Sequence, residues 1–558
     1  MKKIFLYSSI VLTAFVSSCR EMDDNISPNN VDPALISPRQ TLAASENLVF
    51  SAQAGTMNSL SNVWTNTWAG NNFYFGNPLT REYSLDISNT FSTGIWSNSY
   101  VAANNLQGII NNGTSLPLHS AIARILKAYT MQYVVDFYGD APYSEAFKGQ
   151  QNLAPKYDDD ASIYRELVLE INKAIADIDA TVVTGDNKVA EAEDVIFHGN
   201  MNNWKLFANN VKLKILLRQS KVTDATVRSF VDAQLQTLAS ADTSKFYTDD
   251  VAINPGYSNL NSSTPNPWFS NYGMVNYQGS SLNTNGWRLY KAAQYYANSV
   301  NGTLYGTAAR DYRGSQMFRR LSTSKAQQNP SSTTVGVVGL KQGAPKLSGS
   351  EWQVSFIGWK FIGEQNFDGV VQPQTNNPDD SNQLVYRMLS GDTSAGAEIA
   401  KRGSAMDGYL ALGSENKLLL AEAAVLYPTI FTFSAQAQYE AAVKDSFEFY
   451  EIPDRSDAYL LALNTTSVGW TGAPNKIAAI QYQRFASLAN LRQVETYINF
   501  LKTGYPNIPV ADNAIYPNKP YRLIYPSSEY TGNSSNVPNV SQAQVFTKNQ
   551  YTPFWNQN

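Results

Sequence analysis

Apolar positions along the first half of this chain fall at helical intervals, separated by short polar breaks. Trp96, Tyr100, Ala103, Gln107 and Ile110 share one face, and Gly113 supplies a stop. Ile122, Ile125, Leu126, Tyr129, Tyr133 and Phe137 follow at i, i+3, i+4 and i+7 spacing and end before Gly139 and Pro142. Asp158, Asp159 and Asp160 precede a third stripe of Ile163, Leu167, Ile171, Ala174, Ile175 and Ile178, where acidic side chains suit the unpaired amides of a helix start. Trp204, Phe207, Ala208, Val211 and Ile215 repeat the pattern. It returns at Leu418 to Leu426, at Tyr439, Val443, Phe447 and Tyr450, and as one long segment from Ile477 to Leu501. Between about residues 240 and 407 the periodicity fades, and Asn, Ser, Gly, Tyr and Trp dominate. The pattern predicts a mainly α protein of helix hairpins with a loop-rich insertion, although no clean repeat of about 34 residues is visible.

The amino terminus has a different grammar. Lys2 and Lys3 lead an apolar run from Ile4 to Val16, too short to span a bilayer comfortably, and Ser17 and Ser18 precede Cys19. Cys19 is the only cysteine among 558 residues, which excludes an internal disulfide and a thiolate cluster. Val16-Ser17-Ser18-Cys19 resembles the lipobox of bacterial lipoproteins, which implies loss of residues 1–18 and acylation of Cys19, with palmitate among the chains attached. Each buried methylene adds about 0.8 kcal/mol, so more than one chain gives lasting attachment. From Arg20 to about Pro38 acidic, Asn, Pro and Ser residues prevail, a composition that reads as a tether over residues 19–38. Its acidic start resembles the export signal of surface lipoproteins in the Bacteroidetes, although a plain solvated linker has the same composition.

Without residues 1–18 the chain keeps 40 basic and 46 acidic residues, a formal charge of −6, and nucleic acid is not an implied partner. No Pro/Gly-rich or charged linker divides residues 39–558, so one large domain is expected there. Aromatics reach 12% against 16% charged residues, a balance suited to flat contacts that also hydrogen-bond.

Candidate chemistry is sparse. Asp136, Asp140 and Glu145 sit where a helix ends and read as turn and capping residues before catalytic acids; Glu422 in an apolar helix reads as a structural acid. His119 and His198 are the only histidines and, with Cys19 the one thiol, form no transition-metal spacing, so no such metal and no cofactor is expected, a hard-cation site of Asp and Asn oxygens being the alternative. No phosphate loop or nucleophile elbow is present. Two stretches carry recognition chemistry instead. The first holds Trp64, Trp68, Asn71, Asn72, Phe73 and Tyr74; the second holds Trp268, Phe269, Tyr272, Tyr277, Asn283, Asn285 and Trp287. Flat rings flanked by amides, with Arg81 and Arg288 as charged donors, match the apolar faces and hydroxyl rims of sugars. Trp64 and Trp68 fit an inward helix face equally well by their spacing, whereas Trp268 and Trp287 lie among Pro, Asn and Ser and are expected to be exposed.

An ordered set of motifs resembles the SusD/RagB family of outer-membrane nutrient-binding lipoproteins. These are Asp136-Phe137-Tyr138-Gly139-Asp140-Ala141-Pro142-Tyr143-Ser144-Glu145-Ala146, then Asn203 to Asn209 with Leu213 to Arg218, then Asp311-Tyr312-Arg313 before Phe318. Leu418 to Ala424, Lys502-Thr503-Gly504-Tyr505-Pro506, and Arg522 to Pro526 with Glu529 and Asn533 follow in order. The resemblance implies a SusD-like fold with four tetratricopeptide-like units, no enzymatic activity, and a lid on a SusC-like TonB-dependent barrel of the outer membrane. The lid would take oligosaccharide or, as in RagB, peptide. A surface glycosidase or an adhesin is the remaining alternative. The face carrying Tyr138 to Tyr143, or the carboxyl-terminal region, is where the barrel partner is expected. One departure is Lys502, where the family often places arginine before Thr-Gly, losing a planar fork.

Overall fold

Ser37 accepts a hydrogen bond from the first described helix while Gln40 reaches back to its amide, a capping box that starts α1, Pro38–Ala52. The computed structural model describes residues 36–305, 310–319, 336–358, 388 and 391–557, so Cys19 and most of the tether lie outside the described residues. A π-helical turn, Gln53–Met57, joins α1 to α2, Asn58–Trp64. The main scaffold follows as α3, Gly94–Asn112; α4, Pro117–Tyr138; α5, Asp160–Ala180; α6, Met201–Arg218; and α7, Ala225–Thr237. After the one-turn helix α8, Pro267–Tyr272, the scaffold resumes with α9, Gly413–Leu426; α10, Ala435–Phe449; α11, Lys476–Ser487; and α12, Gln493–Thr503. Neighbours in sequence pack on one another: α3 on α4, α4 on α5, α9 on α10 and α11 on α12. The fold is mainly α, as the periodicity predicts.

Within the described part of residues 240–407 the elements are short, and the helix Thr393–Ser404 is the longest at 12 residues. Strands β1, Trp68–Gly70, and β2, Val251–Ile253, precede β3, Tyr290–Ala292, β4, Phe318–Arg319, β5, Phe356–Ile357, and β6, Gly408–Ala411. They form an antiparallel sheet in the order β1-β3-β5-β4, with Trp68 opposite Ala292, and a separate β2-β6 pair. One apolar core runs from Leu42 to Trp555, so the carboxyl-terminal residues close over the first helices.

Four expectations from the sequence change in detail. On α3 the buried stripe is Ile95, Ser99, Ala102, Leu106 and Ile109 beside Trp96 and Ala103, while Tyr100, Gln107 and Ile110 sit at its edge. The hydroxyl of Tyr100 donates to the Pro142 carbonyl and Gln107 accepts from Lys127, polar contacts that hold them at the boundary. Helix α4 is buried all round, every residue from Leu118 to Tyr138 except Arg124, so one apolar face understates it. The segment Ile477 to Leu501 is two helices, because buried Asn490 takes a left-handed φ of 71° between them. Tyr138 is buried against Trp96 and Tyr525, which removes it from any docking face.

Helices α4, α6, α9, α11 and α12 enclose a network of buried charges. Glu495 accepts from Lys214 at 3.1 Å, Arg218 at 3.2 Å and the Tyr133 hydroxyl at 2.6 Å. Arg492 pairs with Glu415, and Arg218 also approaches Asp136 at 3.3 Å. Glu422 is held between Arg484, at 3.0 Å, and Lys502. A cavity of about 20 Å³ lies among these groups, room for one water. Burial pushes the Glu422 carboxyl up, but the two cations overcome it and hold it at about 2. Glu422 is thus a structural acid. The lysine that replaces the usual arginine reaches it as a point charge and also donates to the Leu217 carbonyl at 3.2 Å.

Candidate functional site

The four tryptophans of the two aromatic stretches are core residues. Trp64, Trp68, Trp268 and Trp287 are all 2% exposed or less. Each indole N–H has an internal acceptor: the Glu82 carbonyl for Trp64, the Asn490 side chain for Trp68 at 2.6 Å, the Asn490 carbonyl for Trp268 at 2.8 Å, and the Ile357 carbonyl for Trp287. Trp64 ends a helix and Trp68 begins β1, so their spacing is not helical. Asn71 and Asn72 are buried too. Asn71 donates to Glu351 at 2.5 Å and Asn72 to the Pro345 carbonyl at 2.8 Å. The expectation that these six residues meet ligand is corrected: a Pro- and Asn-rich setting marked loops that fold over a core.

What the same stretches do build is a cleft. Ser51, Gly55 and Ser59 recur every fourth residue through the π-helical turn and, with Thr56, form one wall. Asn98 of α3 borders it. The opposite wall comes from Ser270, Asn271 and Tyr272 of α8 and from Asn283, Asn285 and Gly286, with Tyr290 completing the lining. The volume is about 480 Å³, within the ~300–1,000 Å³ usual for small-ligand sites. The chain kinks at this wall, where Gly55 has a non-helical φ of −90° and ψ of −131°.

The walls are tied together at few points. The Tyr272 hydroxyl donates to the Gly55 carbonyl at 2.5 Å, and burial pushes its pKa up, keeping it protonated. The Asn283 side chain accepts from the Gly286 amide at 2.9 Å and donates to the Asn271 carbonyl at 3.1 Å. Gly286 must lack a side chain, since a Cβ there would lie 1.9 Å from that same carbonyl oxygen. The hydroxyls of Ser51, Thr56 and Ser270 and the amides of Asn98 and Asn285 have no hydrogen-bond partner among the described residues. Such groups both donate and accept, which is the complement of a sugar hydroxyl.

Beside the cleft, the 283–290 loop carries a second feature. Arg288 donates its backbone N–H to the Asn283 carbonyl, forks onto Glu351 at 2.5 and 3.0 Å, and lies 3.6 Å from the ring centre of Tyr74. Burial raises the Glu351 carboxyl, yet Arg288, Lys291 and Asn71 together hold it below its ordinary range. Tyr74 is 45% exposed, so of the first stretch it is the ring that stays at the surface, braced by Arg288. Tyr277 is half-buried. Arg81 is spent locally on the Ser88 hydroxyl at 2.7 Å and on the Phe91 ring.

The acidic candidates are structural. Asp159 caps α5 by accepting from the Ser162 amide, while Asp158 accepts from the Tyr143 and Ser144 amides and clamps the turn after α4. Asp136 accepts from the Tyr164 hydroxyl deep in the core. Asp140, Asp159 and Asp160 come within 4.8 Å of one another, but each has a backbone amide donor, from Asp160, Ser162 and Phe554 in turn. His119, fully buried, pairs with Glu193 at 3.0 Å.

A family model described as starch-binding and associating with the outer membrane matches residues 25–348, more than half of the sequence. The chain belongs to this SusD-like family. SusD-like proteins are binding proteins and not enzymes, and the family is one of carbohydrate binding at the outer membrane. Solved SusD-like structures share the fold over nearly the whole chain. A chitin-binding SusD homologue from Flavobacterium johnsoniae aligns with a TM-score of 0.61 at 16% identity, covering 92% of this chain and 98% of its own. A SusD homologue from Bacteroides fragilis aligns at 0.64 and 17%, covering 94% and 99%. A further chitin-binding protein aligns at 0.61 and 20%, covering 94% and 100%. No curated protein matches the sequence. Among the described residues, no helix is long and apolar enough to cross a membrane.

Proposed function

We propose that this SusD-like protein captures oligosaccharides in the cleft between the π turn and the 270–290 loops and passes them to a SusC-like TonB-dependent transporter. It does so as a lipoprotein held by Cys19 on the outer face of the outer membrane. The observation that carries the reading is the cleft: some 480 Å³ edged in part by hydroxyls and amides, those of Ser51, Thr56, Ser270, Asn98 and Asn285, that have no partner among the described residues. Water occupies such groups cheaply, and a sugar hydroxyl replaces it bond for bond. Tyr74, braced by Arg288 on the adjoining loop, supplies an aromatic face at the rim. Two proteins of the same fold are described as chitin-binding, which favours glycan over the peptide cargo of a RagB-type lid.

The test is an affinity screen of the protein lacking residues 1–19 against soluble polysaccharides and a mixed peptide digest. Saturable binding of a glycan without change in its chain length, reduced at least about tenfold in Asn98→Ala combined with Asn271→Ala at an unchanged melting temperature, is the expected result. Binding of peptides alone would transfer the cleft to the RagB reading, and release of reducing ends would make it a glycosidase site.

A further inference from the structure

We infer that the cleft selects uncharged glycans and rejects uronic-acid and sulfated ones. This rests on the oligosaccharide reading above and adds a class of ligand to it.

The chemistry of the lining carries the argument. Both walls are made of Ser, Thr, Asn, Gly and Tyr, and among the described residues that line the cleft none bears a charge. A carboxylate or sulfate entering it would lose hydration and meet only neutral donors, a loss that hydroxyls and amides offset in part. An uncharged hydroxyl or acetamido group loses far less and recovers more of it, because the hydroxyls of Ser51, Thr56 and Ser270 and the amides of Asn98 and Asn285 each offer a donor and an acceptor. The nearest cation on the adjoining loop does not alter this. Arg288 is already forked onto Glu351, with Asn71 donating to the same carboxylate, and Lys291, 3.9 Å from Glu351, is fully buried among Trp287, Trp352 and Phe356, so neither cation is part of the cleft lining. The Tyr272 hydroxyl is committed to the Gly55 carbonyl and stays neutral. An anionic glycan therefore finds no free positive charge at the cleft or on the loop that borders it, among the described residues.

The experiment is calorimetric titration of the protein lacking residues 1–19 with hexasaccharides of N-acetylglucosamine, of glucose and of galacturonate, each at low and at high salt. The expected result is that an uncharged hexasaccharide binds at least about tenfold tighter than hexagalacturonate, with an affinity that salt does not move. Asn98→Lys, which places a cation on the exposed rim, is expected to admit hexagalacturonate with an affinity that falls as salt rises. Hexagalacturonate binding as tightly as the uncharged sugars, and lost in Asn98→Ala with Asn271→Ala, would overturn the selectivity while leaving the oligosaccharide reading intact. No binding of any of the three would overturn both.

Discussion

Asn490 holds the indole nitrogens of both Trp68 and Trp268, one on its side-chain oxygen and one on its carbonyl, while its own amide groups reach Asn62 and Met317. One buried residue in a left-handed turn thus fixes two rings that the sequence places 200 positions apart. Trp268→Ala is expected to lower stability by about 3–5 kcal/mol in chemical unfolding, with glycan affinity unchanged in the fraction that stays folded. Lys519 makes the opposite case. It is 5% exposed, its one described partner is the Asn66 side chain at 3.3 Å, and burial lowers it from 10.5 to about 7. The unfolded chain holds this proton up to about pH 10.5 and the folded chain only below about 7, so stability rises with pH between those values. Lys519→Met should therefore melt higher at pH 7, by on the order of 1–2 kcal/mol, and the advantage should fade as the pH nears 10.5. A flat difference across that range would show that the lysine is not held neutral by burial.

Helices are the level at which the sequence speaks most clearly and where its silence is most instructive. Periodicity places α3 to α6 and α9 to α12, and Gly139 and Asp159 mark a stop and a start that the backbone uses as such. It cannot show that α4 is buried on every side, because a helix surrounded by others loses the polar face that makes a stripe visible. Nor does it reveal the break at Asn490, where tertiary hydrogen bonds stabilise a turn that local spacing leaves helical. The contact from α12 to α9 through Lys502 and Glu422 is likewise non-local. Glu422, held at about 2 against its ordinary 4.5, contributes stability that is present above pH 4.5 and is lost as the pH falls toward 2. Lys502→Met leaves that carboxylate buried with one cation, Arg484, and the Gln481 amide that donates to it at 3.2 Å. The expected cost is about 3–5 kcal/mol at neutral pH, narrowing as acid protonates Glu422, read from melting curves across the acid range.

For the whole molecule, the anchor and the cleft are separate questions with separate readouts. Cys19→Ser is expected to shift the protein from the membrane fraction to the soluble fraction while leaving glycan affinity and the melting temperature of the folded part unchanged. Among the described residues the buried apolar cluster begins at Leu42. Retention of Cys19→Ser on the membrane would point to the barrel partner, not lipid, as the holdfast.

What the sequence determined by itself follows from short-range rules: helical periods, caps, and a low charge content that implies no basic surface for nucleic acid. It also named Tyr272, Asn283 and Asn285, which do line the cleft. Only the tertiary structure decided which aromatics face inward. Burial depends on what covers a residue, and the cover here comes from Asn490, Glu351 and the strands after Tyr290, far along the chain. The same holds for Ser51, Thr56, Ser59 and Asn98. As isolated Ser, Thr and Asn residues they carry no signal, and they come to line one cleft because the kinked turn and α3 set their hydroxyls and amides against the same open space.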